Sequence, residues 1–296
     1  MTAATIERTS PARRPDAGVV ARLKRLVDHY LLFTYTGLAI IYLLLPIAII
    51  ILFSFNNPSG RRNFVWTEFS LDAWLNPFGI PGLANAVTLS LFIAFASTVV
   101  ATILGTLMAL ALVRYEFRGS RVTNSLIFLP MATPEIVMGA SLLTLFVSFG
   151  GPPFFPLSLL TILVAHILFN ISYVVVTVRA RLSGFPRHLE EAAMDLGANE
   201  WQTFWKVTFP LILPGIIAAA LLAFSLSIDD FVITNFTAGR TQTFPMFIYA
   251  QARVGVPVQV YVIGSVIFLV AVISVGVTTV AGRRQAAKDF EPVRKM

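Results

Sequence analysis

Three carboxylates stand where carboxylates are expensive. Glu135 falls inside an apolar stretch spanning 123–149, and Asp229 and Asp230 lie near the end of another at 214–233. On insertion scales an ionised acid at mid-bilayer costs at least about 2.5 kcal/mol, and neither stretch holds a basic residue well inside it to offset that. Acids retained under such conditions point to a polar pathway for cationic cargo. Glu135 follows Pro130 and Pro134, which remove backbone donors and disrupt a helix. Interrupted helices are tolerated where they line a cavity, and their freed carbonyls also attract cations. Trp74, in the segment FSLDAW, offers an aromatic face for cation–π contact. Plainer readings stand beside these: a helix end in water for Asp229 and Asp230, a buried ion pair with a partner chain for Glu135, and an interface anchor for Trp74.

Other chemistry is thinly represented. There is no cysteine, which excludes disulfides, thiol catalysis and Cys-ligated metals. His29, His166 and His188 are scattered without metal-ligand spacing and read as structural. The phosphate-binding pattern G-x-x-x-x-G-K-[ST] is missing, so ATP is not bound that way. No catalytic residue, metal site or cofactor is expected in this chain.

The elements that position these residues are membrane helices. Of 296 residues, 56% are hydrophobic and only 12% charged, against about 25% charged in a soluble domain. Mean hydropathy is +0.79. Six apolar stretches approach or exceed the ~20 residues that span a bilayer: 35–55, 86–113, 123–149, 157–178, 214–233 and 258–281. The fold class expected is all-α, membrane-embedded, with six spans. Small residues such as Gly105, Ala109, Gly139 and Gly264 read as helix-packing contacts.

Charge sets the orientation. All but four of the 22 Lys and Arg fall in both tails, the connection after the second stretch (Arg114, Arg118, Arg121) and a long loop (Arg179, Arg181, Arg187, Lys206). The four exceptions are Arg61, Arg62, Arg240 and Arg253. By the positive-inside rule, both tails and the long loop are cytoplasmic. The pI near 10.0 is therefore topological and not a nucleic-acid footprint. Residues 1–30 form a cytoplasmic tail: no cleavable signal, a disordered start to about Ala17, then a helix with Val19, Val20, Leu23, Leu26, Val27 and Tyr30 on one face. That helix lies on the inner membrane surface or continues the first span. Residues 31–281 are the membrane domain and 282–296 a second cytoplasmic tail. Outside, 56–85 is a structured loop with Trp66 and Trp74, and 234–257 is a short helix with turns.

The long loop, 186–212, carries its own pattern. Leu189, Ala192, Ala193 and Leu196 are spaced i, i+3, i+4, i+7, one apolar stripe on a short helix. Glu190, Glu191 and Asp195 lie off it, and Arg187 and Glu191 are i,i+4 partners. Pro186 suits a first helical position, Gly197 a left-handed stop, and Asn199 with Gln202 a capping box for a second helix. Pro210 ends that helix and Pro214 opens the next span. The product is helix, Gly turn, helix across the cytoplasmic face, a surface for another protein to grip.

Glu191-Ala192-Ala193, three residues, Gly197, nine residues, then Val207-x-Phe209-Pro210 resembles the EAA loop of ABC importer permeases, whose pattern is EAA, then Gly, then Ile-x-Leu-Pro. Val207 and Phe209 depart conservatively. The resemblance extends over nearly the whole chain. RYEFRG (114–119), PEIVM (134–138) and LSIDDF (226–231) look like the spermidine/putrescine (PotC-like) branch. That branch typically has Asp at the place of Glu135, so charge is kept with longer reach.

The resemblance implies a type I importer permease fold in a bacterial inner membrane, with the loop as coupling helix. Glu191, Ala192, Ala193 and Gly197 would seat in an ATPase subunit. A second permease, an ATPase dimer binding ATP and Mg, and an external binding protein would complete the complex. Cargo would be polyamine, elongated cations that suit the separated acids Glu135, Asp229 and Asp230, with Trp74 near the outer mouth. The alternatives are an importer of another cargo, such as ferric iron, or an ion-driven secondary transporter. The loop and the lack of an internal repeat count against the latter.

Overall fold

The computed structural model describes residues 19–60, 62–115, 117–149, 156–184 and 186–273. The tails at 1–18 and 282–296, and the last part of the sixth stretch, lie outside them. The chain divides into two units, 1–56 with 261–296, and 57–260.

The first unit holds α1, Val19–Phe53, unbroken for 35 residues. The surface helix expected at 19–30 is therefore continuous with the first span. No Gly or Pro falls between Val19 and Thr36 to stop it. None of its apolar span Tyr30–Phe53 is buried within the chain, so its apolar surface faces outward.

The second unit opens with the segment expected to be external, where a short α2, Asp72–Leu75, carries Trp74. There the Asn57 side-chain amide donates to Glu68 Oε1 at 2.6 Å. Three long helices follow: α3, Leu83–Arg114; α6, Leu159–Ser183; and α9, Phe209–Ile228. They pack on one another through small and β-branched residues: Ala101 and Ala109 of α3, Val174, Val175 and Val178 of α6, and Ala219 and Ala223 of α9. Without a hydrophobic drive in lipid, close backbone approach supplies the packing energy, and bulky residues such as Phe95, Leu107 and Leu221 stay exposed on the outside. Gly105 shows how close the approach is. A Cβ built there would lie 2.6 Å from Val174 Cγ1 and 3.3 Å from the Ile171 carbonyl oxygen. Gly105→Leu is accordingly expected to destabilise the α3–α6 pair by about 1–3 kcal/mol through overpacking, read as a lowered thermal midpoint of the purified protein in detergent. Gly139 is equally tight, against Phe236, whereas Gly264 has only Ile50 Cγ2 near it, at 3.9 Å.

The third stretch departs from one straight span. It is two helices, α4, Ser120–Ala132, and α5, Glu135–Phe149, bent by 111°. The cause is Pro134. The residue before a proline is driven out of the helical region, and Thr133 takes φ −82°, ψ 132°. Pro130, by contrast, is accommodated inside α4. Glu135 is therefore the exposed first residue of α5, at the break and not in the middle of a continuous helix.

The loop forms α7, His188–Asp195, and α8, Glu200–Thr203, then a π-helical turn, Phe204–Thr208, that leads without interruption into α9. Pro210 was expected to end a helix and Pro214 to open one, yet helix runs from Glu200 to Ile228. The wide turn explains Pro210. Its ring would press on the carbonyl four residues back in a regular α-helix, and the i→i+5 register just before it relieves that clash. The Phe209 N–H bonds to the Phe204 carbonyl in this register.

After α9 come α10, Val232–Thr237, and α11, Phe244–Ala252, two short helices where one was expected. The last apolar helix, α12, is described over Val258–Ile273. At 1.5 Å per residue its 16 residues cover about 24 Å, less than the ~30 Å hydrocarbon core. Among the described residues four helices are long and apolar enough to cross a membrane, or five if α4 and α5 are one span.

Candidate functional site

The acids lie at two helix breaks that share one packed cluster. Met138, Leu142 and Phe146 of α5 pack with Ala165 and Phe169 of α6, Leu226 of α9 and Ile233 of α10. Glu135 stands one turn before Met138. Asp229 and Asp230 stand between Leu226 and Ile233, where α9 gives way to α10. The fold thus gathers residues 94 positions apart in sequence onto neighbouring elements, and Gly139 against Phe236 sets the closeness of α5 to α10.

The two aspartates are not equivalent. Asp229 closes α9 and is exposed. Asp230 is half-buried, with its side chain 6% exposed and fully engaged. Its Oδ2 accepts from the Thr234 backbone N–H at 2.8 Å and the Thr234 hydroxyl at 2.7 Å, and its Oδ1 from the Ile233 N–H at 3.3 Å. It thereby satisfies the first free N–H groups of α10. It also has the basic neighbour that its own span lacks: His166 Nε2 of α6 lies 3.3 Å from Oδ2. Asp230 thus finds its basic neighbour on another helix, where the pattern of its own span could not show it.

His166 is the centre of a buried polar chain across four helices. Its Nδ1 lies 2.6 Å from Ser227 Oγ, which lies 3.1 Å from Ser97 Oγ, and its Nε2 lies 2.9 Å from Thr234 Oγ1. Thr234 spends its one hydroxyl proton on Asp230, so its contact with His166 requires a proton on Nε2. Removing His166 would leave the Asp230 carboxylate buried without its partner. His166→Leu is expected to cost about 3 kcal/mol or more, with His166→Gln recovering part of it, measured as the thermal midpoint in detergent.

Aromatic faces flank this break. The Phe231 ring lies 4.6 Å from that of Tyr249, centroid to centroid, and the guanidinium of Arg253 sits 5.2 Å over Tyr249. Trp74 is half-buried on α2.

The loop is a second, separate site. Its turn is a complete Schellman closure: the Gly197 N–H bonds the Met194 carbonyl at 2.9 Å, and the Ala198 N–H bonds the Ala193 carbonyl at 3.1 Å. Gly197 has φ +90° and Leu196 precedes it, 90% exposed. The capping box forms as expected, with the Gln202 N–H to Asn199 Oδ1 at 2.8 Å and the Asn199 N–H to Gln202 Oε1 at 3.2 Å. No residue of α7 is buried. Leu189, Ala192 and Leu196 of the stripe, with Glu191, are exposed and Ala193 is half-buried. Arg187 does not pair with Glu191. It donates to the Arg114 carbonyl at 3.3 Å.

Residues 101–285 match the family model of the binding-protein-dependent transport system inner membrane component. The chain belongs to this family. It is 36% identical over 231 residues to the spermidine/putrescine transport system permease protein PotC of Haemophilus influenzae, spanning 78% of this chain and 88% of that protein. To PotC of Escherichia coli K12 it is 37% identical, spanning 79% and 87%. To the putrescine transport system permease protein PotI of the same organism it is 38% identical, spanning 76% and 81%. Among solved structures it resembles a bacterial ABC transporter involved in import of the acidic polysaccharide alginate, at TM-score 0.63, 20% identity and 90% of this chain against 99% of that one. It also resembles the MetNI methionine ABC transporter, at TM-score 0.52, 19% identity and 68% against 93%. At these identities the two likenesses establish the fold of the family.

Within this family member the sequence reading named His166 as structural but not its partners, and it did not single out Phe231 or Tyr249. A lone histidine on an apolar helix carries no spacing signal, because its partners Ser227, Asp230 and Thr234 are more than sixty residues away. The placement of Phe231 directly after the acid pair was the one available hint.

Proposed function

We propose that this chain is the membrane permease subunit of an ATP-driven importer of polyamines. The observation that carries the reading is its 36–38% identity, across about three quarters of its length, to permeases of spermidine/putrescine and putrescine transport systems. The retained acids fit that cargo. Asp229 and Glu135 are exposed carboxylates at adjacent helix breaks, with the aromatic rings of Phe231 and Tyr249 at one of them, a combination suited to an elongated polyamine cation. Trp74 completes the path at its outer mouth, and Asp230 holds the break in shape. The chain works with a second permease, an ATPase pair that binds ATP and Mg, and an external binding protein. The α7 helix, with Glu191, Ala192, Ala193 and Gly197, docks in the ATPase.

The deciding experiment reconstitutes the complex in proteoliposomes with its binding protein and follows uptake of labelled spermidine and putrescine. ATP-dependent accumulation of either is expected. Accumulation of neither, with ferric iron or another solute taken up in its place, would remove the polyamine assignment.

The chain has six spans in this reading, α4 and α5 forming one and α12 belonging to the sixth, with both termini cytoplasmic. A cysteine placed at Ser59 should react with an impermeant thiol reagent added to intact cells, and one at Ala12 or Ala286 should not. Labelling of either tail in sealed cells would reverse the orientation.

A further inference from the structure

One carboxylate of the loop bonds to the ends of two spanning helices. Glu190, the residue before the EAA pattern, turns away from the exposed stripe. Its Oε1 accepts from Arg114 Nη2, at the last residue of α3, at 2.5 Å, and from the Thr208 hydroxyl, at the end of the π turn, at 2.6 Å. Both donors converge on the same oxygen. The pair is mostly shielded, with side-chain exposures of 14% for Arg114 and 16% for Glu190, which places it among charge-assisted bonds that water weakens less. A cleft of about 310 Å³ lies beside them, lined by Leu110, Tyr115, Met194, Thr203 and Phe204 around the Arg114–Glu190–Thr208 cluster. With no buried residue in α7, these bonds and that of Arg187 to the Arg114 carbonyl are side-chain links from the loop to the helix ends, beside the chain itself, which runs from Glu200 into α9 as one helix. The π turn beneath Thr208 is a local register change of the kind that concentrates at functional positions.

We propose that Glu190 is the positioning residue that transmits movement of the coupling helix to α3, through Arg114, and to α9, through Thr208. The inference rests on the reading of α7 as the ATPase-docking element. It assigns docking to residues 191–197 and transmission to Glu190, two separable steps.

The test uses the full complex in proteoliposomes and measures ATP hydrolysis and polyamine uptake on the same preparation. Glu190→Ala removes both legs. Thr208→Val removes one at nearly constant volume, and Glu190→Gln keeps the acceptor oxygen but not the charge. Hydrolysis stimulated by loaded binding protein is expected to persist, while uptake per ATP falls about tenfold in Glu190→Ala and less in the other two. Thr208→Val added to Glu190→Ala should lower uptake no further, because the shared oxygen is already gone. An unchanged uptake-to-ATP ratio in Glu190→Ala and Thr208→Val overturns the proposal, whether activity is normal or both rates drop together. Should Glu190→Ala fail to assemble, Thr208→Val alone decides by the same ratio. Failure of the underlying reading has a different signature: Gly197→Val would then leave hydrolysis coupled to uptake.

Discussion

Gly197→Val is expected to abolish productive uptake, by at least about tenfold, while the permease still inserts in the membrane. The physical cause is conformational and local. Gly197 holds φ +90° at the position after the α7 C-cap, and an added Cβ there meets no heavy atom within 4 Å. Crowding therefore contributes nothing. What valine cannot do is adopt the left-handed backbone, which costs an L-residue roughly 1–2 kcal/mol and a β-branched one more. The two Schellman bonds close only in that geometry, so the chain leaving α7 would take another direction and the exposed stripe of Leu189, Ala192 and Leu196 would be presented at a different angle. The graded series separates this cause from loss of a docking contact. Gly197→Asn, which tolerates the left-handed region, should retain most uptake, Gly197→Ala less, and Gly197→Val almost none. If Asn and Val are equally impaired, the side chain itself obstructs a partner. If Gly197→Val supports normal uptake, the loop is not the coupling element.

The series also shows what the sequence carried and what it did not. Local backbone chemistry was readable because each device needs only a few adjacent residues: the Gly197 stop, the Asn199–Gln202 capping box, the small-residue packing at Gly105 and the break at Pro134 all formed. The readings that failed were non-local or depended on register. Pro210 looked like a helix end because nothing in the sequence announces the π turn that absorbs it. Arg187 and Glu191 had ideal i,i+4 spacing, yet Arg187 found the Arg114 carbonyl, and Glu190, which lies off the apolar stripe, bonds to the Arg114 side chain. Spacing on one helix cannot reveal a partner 76 residues away. The same holds for His166. The acids were visible individually, but which of the pair is free and which is held depends on a histidine from another helix.

That distinction changes the expected behaviour of the acids when they are neutralised. Asp229→Asn and Glu135→Gln keep shape and remove charge at exposed positions. Each is expected to lower polyamine uptake about tenfold or more, since a hydrogen bond to a charged group is worth about 1.5–3 kcal/mol, and tenfold corresponds to about 1.4 kcal/mol. Membrane insertion, assembly and thermal midpoint should stay close to the parent, because neither carboxylate is buried in the fold. Asp230→Asn should behave differently. Its amide cannot accept at both oxygens from Ile233, Thr234 and His166 as the carboxylate does, so stability falls together with uptake. Reading both quantities on each variant sorts the acids by role: a cargo contact moves uptake alone, and a structural acid moves both. The combined change Asp229→Asn with Glu135→Gln is the stricter case, since separated carboxylates on one cation substitute partly for one another. Uptake at the parent rate in that double variant would exclude both acids from the cargo path and leave Asp230, held by His166, as a residue of the fold.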